Sequence, residues 1–284
     1  MRLLLLLTIL PLAAADFSGQ KALEYTQALV NFGPRPSGTP AMVKTQAYII
    51  EQLKANGWQV SDDSFSAKTP AGTLAMKNII ARKAGLSGRA VAITGHYDTK
   101  RFPFPFVGAN DGGASAGVLL ELSRSLKDRT FKNDVYLVFF DGEEAVKDWT
   151  ATDSLYGSRH LAEKWQSDGI IDRLTALINI DMIGDRDLKI VNELYSSEPL
   201  RRVITQAAAS LGYAKHFNAT DMPIEDDHVP FLRKGVRSAD LIDFDYGPNH
   251  AWWHTAQDTM DKLSPASMEV VGRTLIEVIK RLEP

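Results

Sequence analysis

The chain has 284 residues, 44% of them hydrophobic and 24% charged, with a formal net charge of −3 and no cysteine. That composition supplies a sizeable core, and a single α/β domain reaches this length. The absence of a long basic run argues against nucleic-acid or anionic-membrane binding, and the lack of cysteine excludes disulfides, thiolate metal ligands and a thiol nucleophile.

Residues 1–15 read Met-Arg, then LLLLLTILPL, then three alanines. A short charged start, an apolar run too short to span a bilayer and a small-residue site together predict a secretory signal. Cleavage after Ala15 is expected, giving an exported protein, periplasmic or secreted, with residues 16–284 as one domain. Ser18 to Asn31 predicts a helix capped by Ser18 and stopped at Gly33, and Met42, Ile49, Ile50 and Leu53 give 41–56 an apolar helical face. Strands are predicted at 58–66, 76–83 and 89–96, followed by a helix at 113–127 and a strand at 134–141. A helix near 157–166, a strand at 175–182, a helix at 198–211, a turn at 223–226 with a helix near 228–234, a strand at 236–243 and a helix at 264–282 complete the chain. Strands alternating with helices predict a three-layer α/β sandwich, its mostly parallel central sheet covered by helices on both faces.

The chemistry gathers where strands end. VYLVFF (135–140) stops at Asp141-Gly142-Glu143-Glu144, which brings two adjacent carboxylates to the C-terminal edge of a buried strand, where such folds keep their ligands. One can hold a metal while the other moves a proton. GHYDT (95–99) brings His96 and Asp98 to a neighbouring edge. GANDGGASAG (108–117) is a Gly-rich turn without the GxGxxG or P-loop pattern, and its small residues let Asp111 point inward. NIDMIGD (179–185) ends a strand with Asp181, and WWHT (252–255) offers His254. Taken singly, each has a structural explanation, such as an Asp capping a turn. Five such junctions carrying carboxylate or imidazole predict a metal site suited to zinc without sulfur.

The run FFDGEEAVKDWTATDSLYGSRHLA (139–162), the GHYDTK and VGAND blocks, DDHVPFLRKGV (226–236) and Trp253-His254-Thr255 resemble the animal-type glutaminyl-peptide cyclotransferases of the zinc aminopeptidase superfamily. The resemblance covers nearly all of residues 20–284. It implies one zinc held by Asp111, Glu144 and His254, with Glu143 as general acid/base and, grouped with it among the catalytic residues, Asp181 and Asp226 as acidic residues that support the site beside the reacting amine. It also implies a substrate pocket walled by Trp149 and Trp253, and a peptide or protein with an N-terminal glutamine as partner. A monomer without integral membrane association is expected. Where that family has a histidine, this chain has Asp240, which is grouped with the substrate-binding residues and would share a proton with Asp226 if close. The 244–252 loop also departs from the pattern, leaving Phe244 and Tyr246 as candidates for an aromatic pocket residue.

Two-zinc aminopeptidases of the same superfamily offer an alternative. His96, Asp111, Glu144, Asp181 and His254 all have counterparts there, so a second metal between His96 and Asp181 stays open. A secreted peptide binder without turnover is a third reading, opposed by Glu143, for which a binder has no use. The RFPFPFVG loop (101–108) reads first as a rigid surface loop and second as a rim of the substrate mouth. Lys100 and Arg101 read as a solvated pair. His228 and His160 read as structural, and His216 as a surface residue.

Overall fold

The computed structural model describes residues 16–283, so the predicted signal segment lies outside the described residues. Helices α1 (Gly19–Val30) and α2 (Pro40–Ala55) begin where Ser18 and Thr39 accept hydrogen bonds from the backbone N–H groups of Lys21 and Met42. Such caps each contribute about 1 kcal/mol. Met42, Ile49 and Leu53 are fully buried, as their spacing predicts, whereas Ile50 is half-buried.

Strands β1 (Gln59–Thr69) and β2 (Gly72–Lys83) form an antiparallel hairpin at one edge of the main sheet. Strand β3 (Ala90–His96) is followed by the Gly-rich turn 109–114 and α3 (Ser115–Ser125). Next come β4 (Asp134–Phe140), α4 (Tyr156–Ser167) and β5 (Leu174–Asp181). A small parallel pair, β6 (Ile190–Glu193) and β7 (Phe217–Met222), brackets α5 (Glu198–Ser210). The chain ends with α6 (Val229–Leu232), β8 (Ser238–Ile242) and α7 (Pro265–Arg281). The β6–β7 pair has no counterpart in the sequence prediction. IVNE is too short for a periodic signal, and FNATDM is mostly exposed. Helix α6 is also shorter than expected.

The main sheet runs β1-β2-β4-β3-β5-β8, with β4, β3, β5 and β8 parallel. Every residue of β3 and β4 is buried, which explains why these strands read as continuous apolar runs. Successive side chains point to opposite faces. Val91 and Ile93 join a core with α1, α2, α3, α5 and α7, while Ala90 and Ala92 pack with α4, Trp165 and Phe231. Helices therefore cover both faces. From β3 the chain steps to β4 on one side and then to β5 on the other. Such a switch opens a crevice at the carboxyl ends of the strands. No described helix is long and apolar enough to cross a membrane.

Candidate metal centre and active site

The crevice collects the predicted side chains. His96 ends β3, Asp181 ends β5, and Glu143 and Glu144 follow β4. Asp111 enters from the Gly-rich turn, which bends at Gly112 with φ +78°. A Cβ on Gly112 would lie 2.4 Å from the Asp98 carbonyl oxygen and 3.0 Å from the His96 ring, so only glycine allows this approach. His254 arrives on the 252–258 loop with a left-handed backbone, φ 54°.

Two ligand groups result, and they share Asp111. Asp111, Glu144 and His254 each present one ligand atom within 4.8 Å of the others, and so do His96, Asp111 and Asp181. His254 Nε2 lies 3.2 Å from Glu144 Oε1 and 3.3 Å from Asp111 Oδ2. His96 Nε2 lies 3.0 Å from Asp181 Oδ1 and 3.3 Å from Asp111 Oδ1. Oxygen and imidazole donors without sulfur fit zinc. Asp111 Oδ2, buried and lacking a well-aligned hydrogen bond, is suited to a ligand role.

Electrostatics divides the adjacent carboxylates. Burial raises Glu144, reinforced by Asp111 and opposed by His254. Burial raises Glu143 well above the usual carboxylate range; His96 opposes the shift, and Glu144, Asp226 and Asp227 add to it. Asp181 is pushed up to about 7 by burial, against the pull of His96. Burial disfavours the imidazolium of His254, yet Asp111 and Glu144 raise it to about 9. Asp98 sits beneath the pair and accepts the backbone N–H groups of Glu143 (3.2 Å) and Glu144 (3.3 Å).

Burial raises the Asp240 carboxyl well above the usual range, and the charges of Asp226, Asp181 and Glu193 add to the shift. Asn179 Nδ2 donates to Asp240 Oδ1 at 3.2 Å, and Thr94 in turn donates to Asn179 at 2.9 Å. Asp240 is therefore inside the molecule, 2% exposed, and within electrostatic reach of the likewise buried Asp226.

An aromatic wall rises on one side. Trp253 stacks on His254, centroids 3.9 Å apart, and Phe244 packs 5.2 Å from Trp253. Phe102 and Phe106 meet the His254 ring at 5.4 and 5.9 Å, so the 101–108 loop lines the site instead of merely covering the core. Phe244 joins this wall, but Tyr246 does not. Tyr246 is fully buried and donates its hydroxyl to Asp258 at 2.7 Å. Trp149 is 42% exposed on the 145–155 loop, which Asp153 fixes by accepting from the N–H groups of Val146, Lys147 and Asp148.

Lys100 corrects the sequence expectation. It is no solvated partner of Arg101, since its ammonium lies 3.7 Å from Glu144 and donates to the Ala145 carbonyl at 3.1 Å. His160 stacks on Phe65, and His228 lies 3.2 Å from Glu193; both are structural, as expected. His216 is half-buried, its ring beside the Leu188 carbonyl.

Two buried residues with no sequence signal complete the frame. Arg35 donates to the carbonyls of Tyr97, Val107 and Gly108 at 3.1, 2.7 and 3.0 Å, and burial lowers its pKa to about 10. Asp258 accepts the N–H groups of Asn110 and Asp111 at 2.8 and 3.1 Å.

The profile of peptidase family M28 matches residues 78–279. A glutaminyl-peptide cyclotransferase-like protein of Bos taurus is 32% identical over 271 residues, spanning 85% of this chain and 70% of the relative. The crystal structure of a glutaminyl cyclase from an Acidobacteriales bacterium matches with TM-score 0.92 at 38% identity, covering 96% of this chain and 97% of that one. A Zn-dependent exopeptidase from Parabacteroides distasonis matches with TM-score 0.85 at 28% identity, covering 94% and 99%. The chain belongs to peptidase family M28 and, within it, to the glutaminyl-peptide cyclotransferases.

Proposed function

We propose that this protein converts the N-terminal glutamine of peptides to pyroglutamate with release of ammonia, using one zinc ion held by Asp111, Glu144 and His254. The observation that carries the proposal is the adjacency of Glu144, facing His254, to Glu143, buried among Asp226, Asp227 and His96. Zinc in that position would polarise the γ-amide carbonyl and stabilise charge developing on its oxygen. The α-amine of the glutamine attacks this carbonyl and closes a five-membered lactam. Glu143 accepts the amine proton and returns it to the departing nitrogen, and burial, by raising its carboxyl above the ordinary range, favours its holding that proton between the two transfers. Asp181 and Asp226 flank the amine. Trp253 and Trp149 wall the folded-back glutamine, which lowers the entropic part of the barrier. Asp240 acts on the amine side through its neighbour Asp226.

The second reading, a two-metal aminopeptidase, is favoured by one observation: His96, Asp111 and Asp181 form a second ligand group that shares Asp111. Incubation with a glutamine-initiated dipeptide amide, with products resolved by mass, separates the two. Loss of ammonia from an intact peptide is expected, and release of a free amino acid would overturn the cyclase assignment. Export after cleavage at Ala15 is part of the same proposal, supported by the apolar run and triple alanine of residues 3–15.

A further inference from the structure

We infer that Asp258 is a positioning residue that sets zinc affinity by fixing the Gly-rich turn carrying Asp111 to the loop carrying His254. Asp258 is 1% exposed and grips the turn three times. Its Oδ1 accepts from Asn110 N–H at 2.8 Å, its Oδ2 accepts from Asp111 N–H at 3.1 Å, and its backbone carbonyl accepts from Ala109 N–H at 3.4 Å. Its own N–H donates to the Thr255 carbonyl at 3.2 Å, so the segment that grips the turn is folded onto the residue after His254. The two ligands are far apart in sequence, and this single side chain ties their loops together.

The turn needs such a tie. Gly112 holds it in a left-handed bend, and Asp111 itself is extended, with φ −76° and ψ 102°. Arg35 braces the near side through the Val107 and Gly108 carbonyls, and Thr26 donates to the Gly113 carbonyl at 3.2 Å. Neither reaches the backbone of Asp111. Asp258 does, and an outer partner that orients a metal ligand typically contributes 10–100-fold in metal affinity.

The two carboxylate oxygens allow a selective test, conditional on the proposed zinc site. In Asp258→Asn the remaining carbonyl oxygen can keep Asn110 and Tyr246, while the new amide NH₂ meets Asp111 N–H and removes that bond. Tyr246→Phe removes only the hydroxyl bond at 2.7 Å and leaves both backbone bonds. Zinc dissociation constants are measured by competition with a chromophoric chelator, beside thermal melting of the metal-free proteins. Asp258→Asn should weaken zinc binding about 10–100-fold, whereas Tyr246→Phe should lower melting without a comparable loss of affinity. Asp258→Glu, which keeps the charge but lengthens the arm, should also weaken binding and serves if the Asn variant does not fold. Wild-type affinity in a folded Asp258→Asn or Asp258→Glu variant would overturn the inference. Failure of the wild-type protein to bind zinc at all would instead overturn the proposed metal site.

Discussion

Glu143 and Glu144 leave the same strand but meet different partners. Glu144 faces His254 at 3.2 Å, with Lys100 behind it at 3.7 Å. Glu143 Oε2 is 3.9 Å from His96 Nδ1, with Asp226 and Asp227 as further charged neighbours. Replacing Glu143 by Gln keeps the shape and removes the proton carrier. Turnover should fall about 10²–10⁴-fold, the usual contribution of a general acid or base, with bound zinc unchanged. Steady-state kinetics with elemental analysis of the same sample checks this, and surviving activity or lost zinc would refute the division of roles. This part of the site was legible because carboxylates at the end of an apolar strand stand out in sequence. Asp258 was not, since it reads as a turn residue and its contact with Asp111 spans 147 positions. Arg35 was not legible either, because an arginine between Pro34 and Pro36 reads as surface and arginine is seldom fully buried.

At the scale of elements, each buried parallel strand was legible from its apolar run, and each strand end from the charge that follows. The small β6–β7 pair was hidden because its strands lack an alternating pattern, yet it supports the part of the crevice where Asp240 lies. Glu193, at the end of β6, accepts from Ser196 Oγ at 2.7 Å and from the N–H groups of Tyr195 and Ile224 at 2.8 and 3.0 Å. Ser196 Oγ in turn accepts the N–H of Asp240 at 2.9 Å. Burial favours the neutral form of Glu193, but bonds from His228, Ser196, Tyr195 and Ile224 outweigh it and hold the carboxyl at about 2 against a reference of 4.5. A carboxyl lowered on folding stabilises the protein above its unfolded pKa and loses that contribution as pH falls through the folded value. Glu193→Gln should therefore cost about 1–3 kcal/mol at neutral pH by leaving buried donors unpaired. The deficit should shrink as pH falls from 4.5 towards 2. Denaturant titrations across that range check it; a pH-independent deficit would contradict the assigned role.

For the whole molecule, the alternation of strands and helices was enough to predict a sheet covered on both faces, and the order β1-β2-β4-β3-β5-β8 explains where the crevice opens. The antiparallel edge formed by β1 and β2 was not predicted, because strand direction depends on pairing partners rather than on local pattern. The scaffold is shared with a Zn-dependent exopeptidase, and on the proposed reading cyclisation uses one zinc where the aminopeptidase alternative uses two. His96 and Asp181 form the second ligand group through Asp111, so the zinc stoichiometry of turnover separates the two readings. Metal-free protein should be titrated with zinc while pyroglutamate and free amino acid are followed together. Pyroglutamate formation should saturate at one zinc per chain with no amino acid released; a requirement for a second zinc, with a free amino acid as product, would contradict the account.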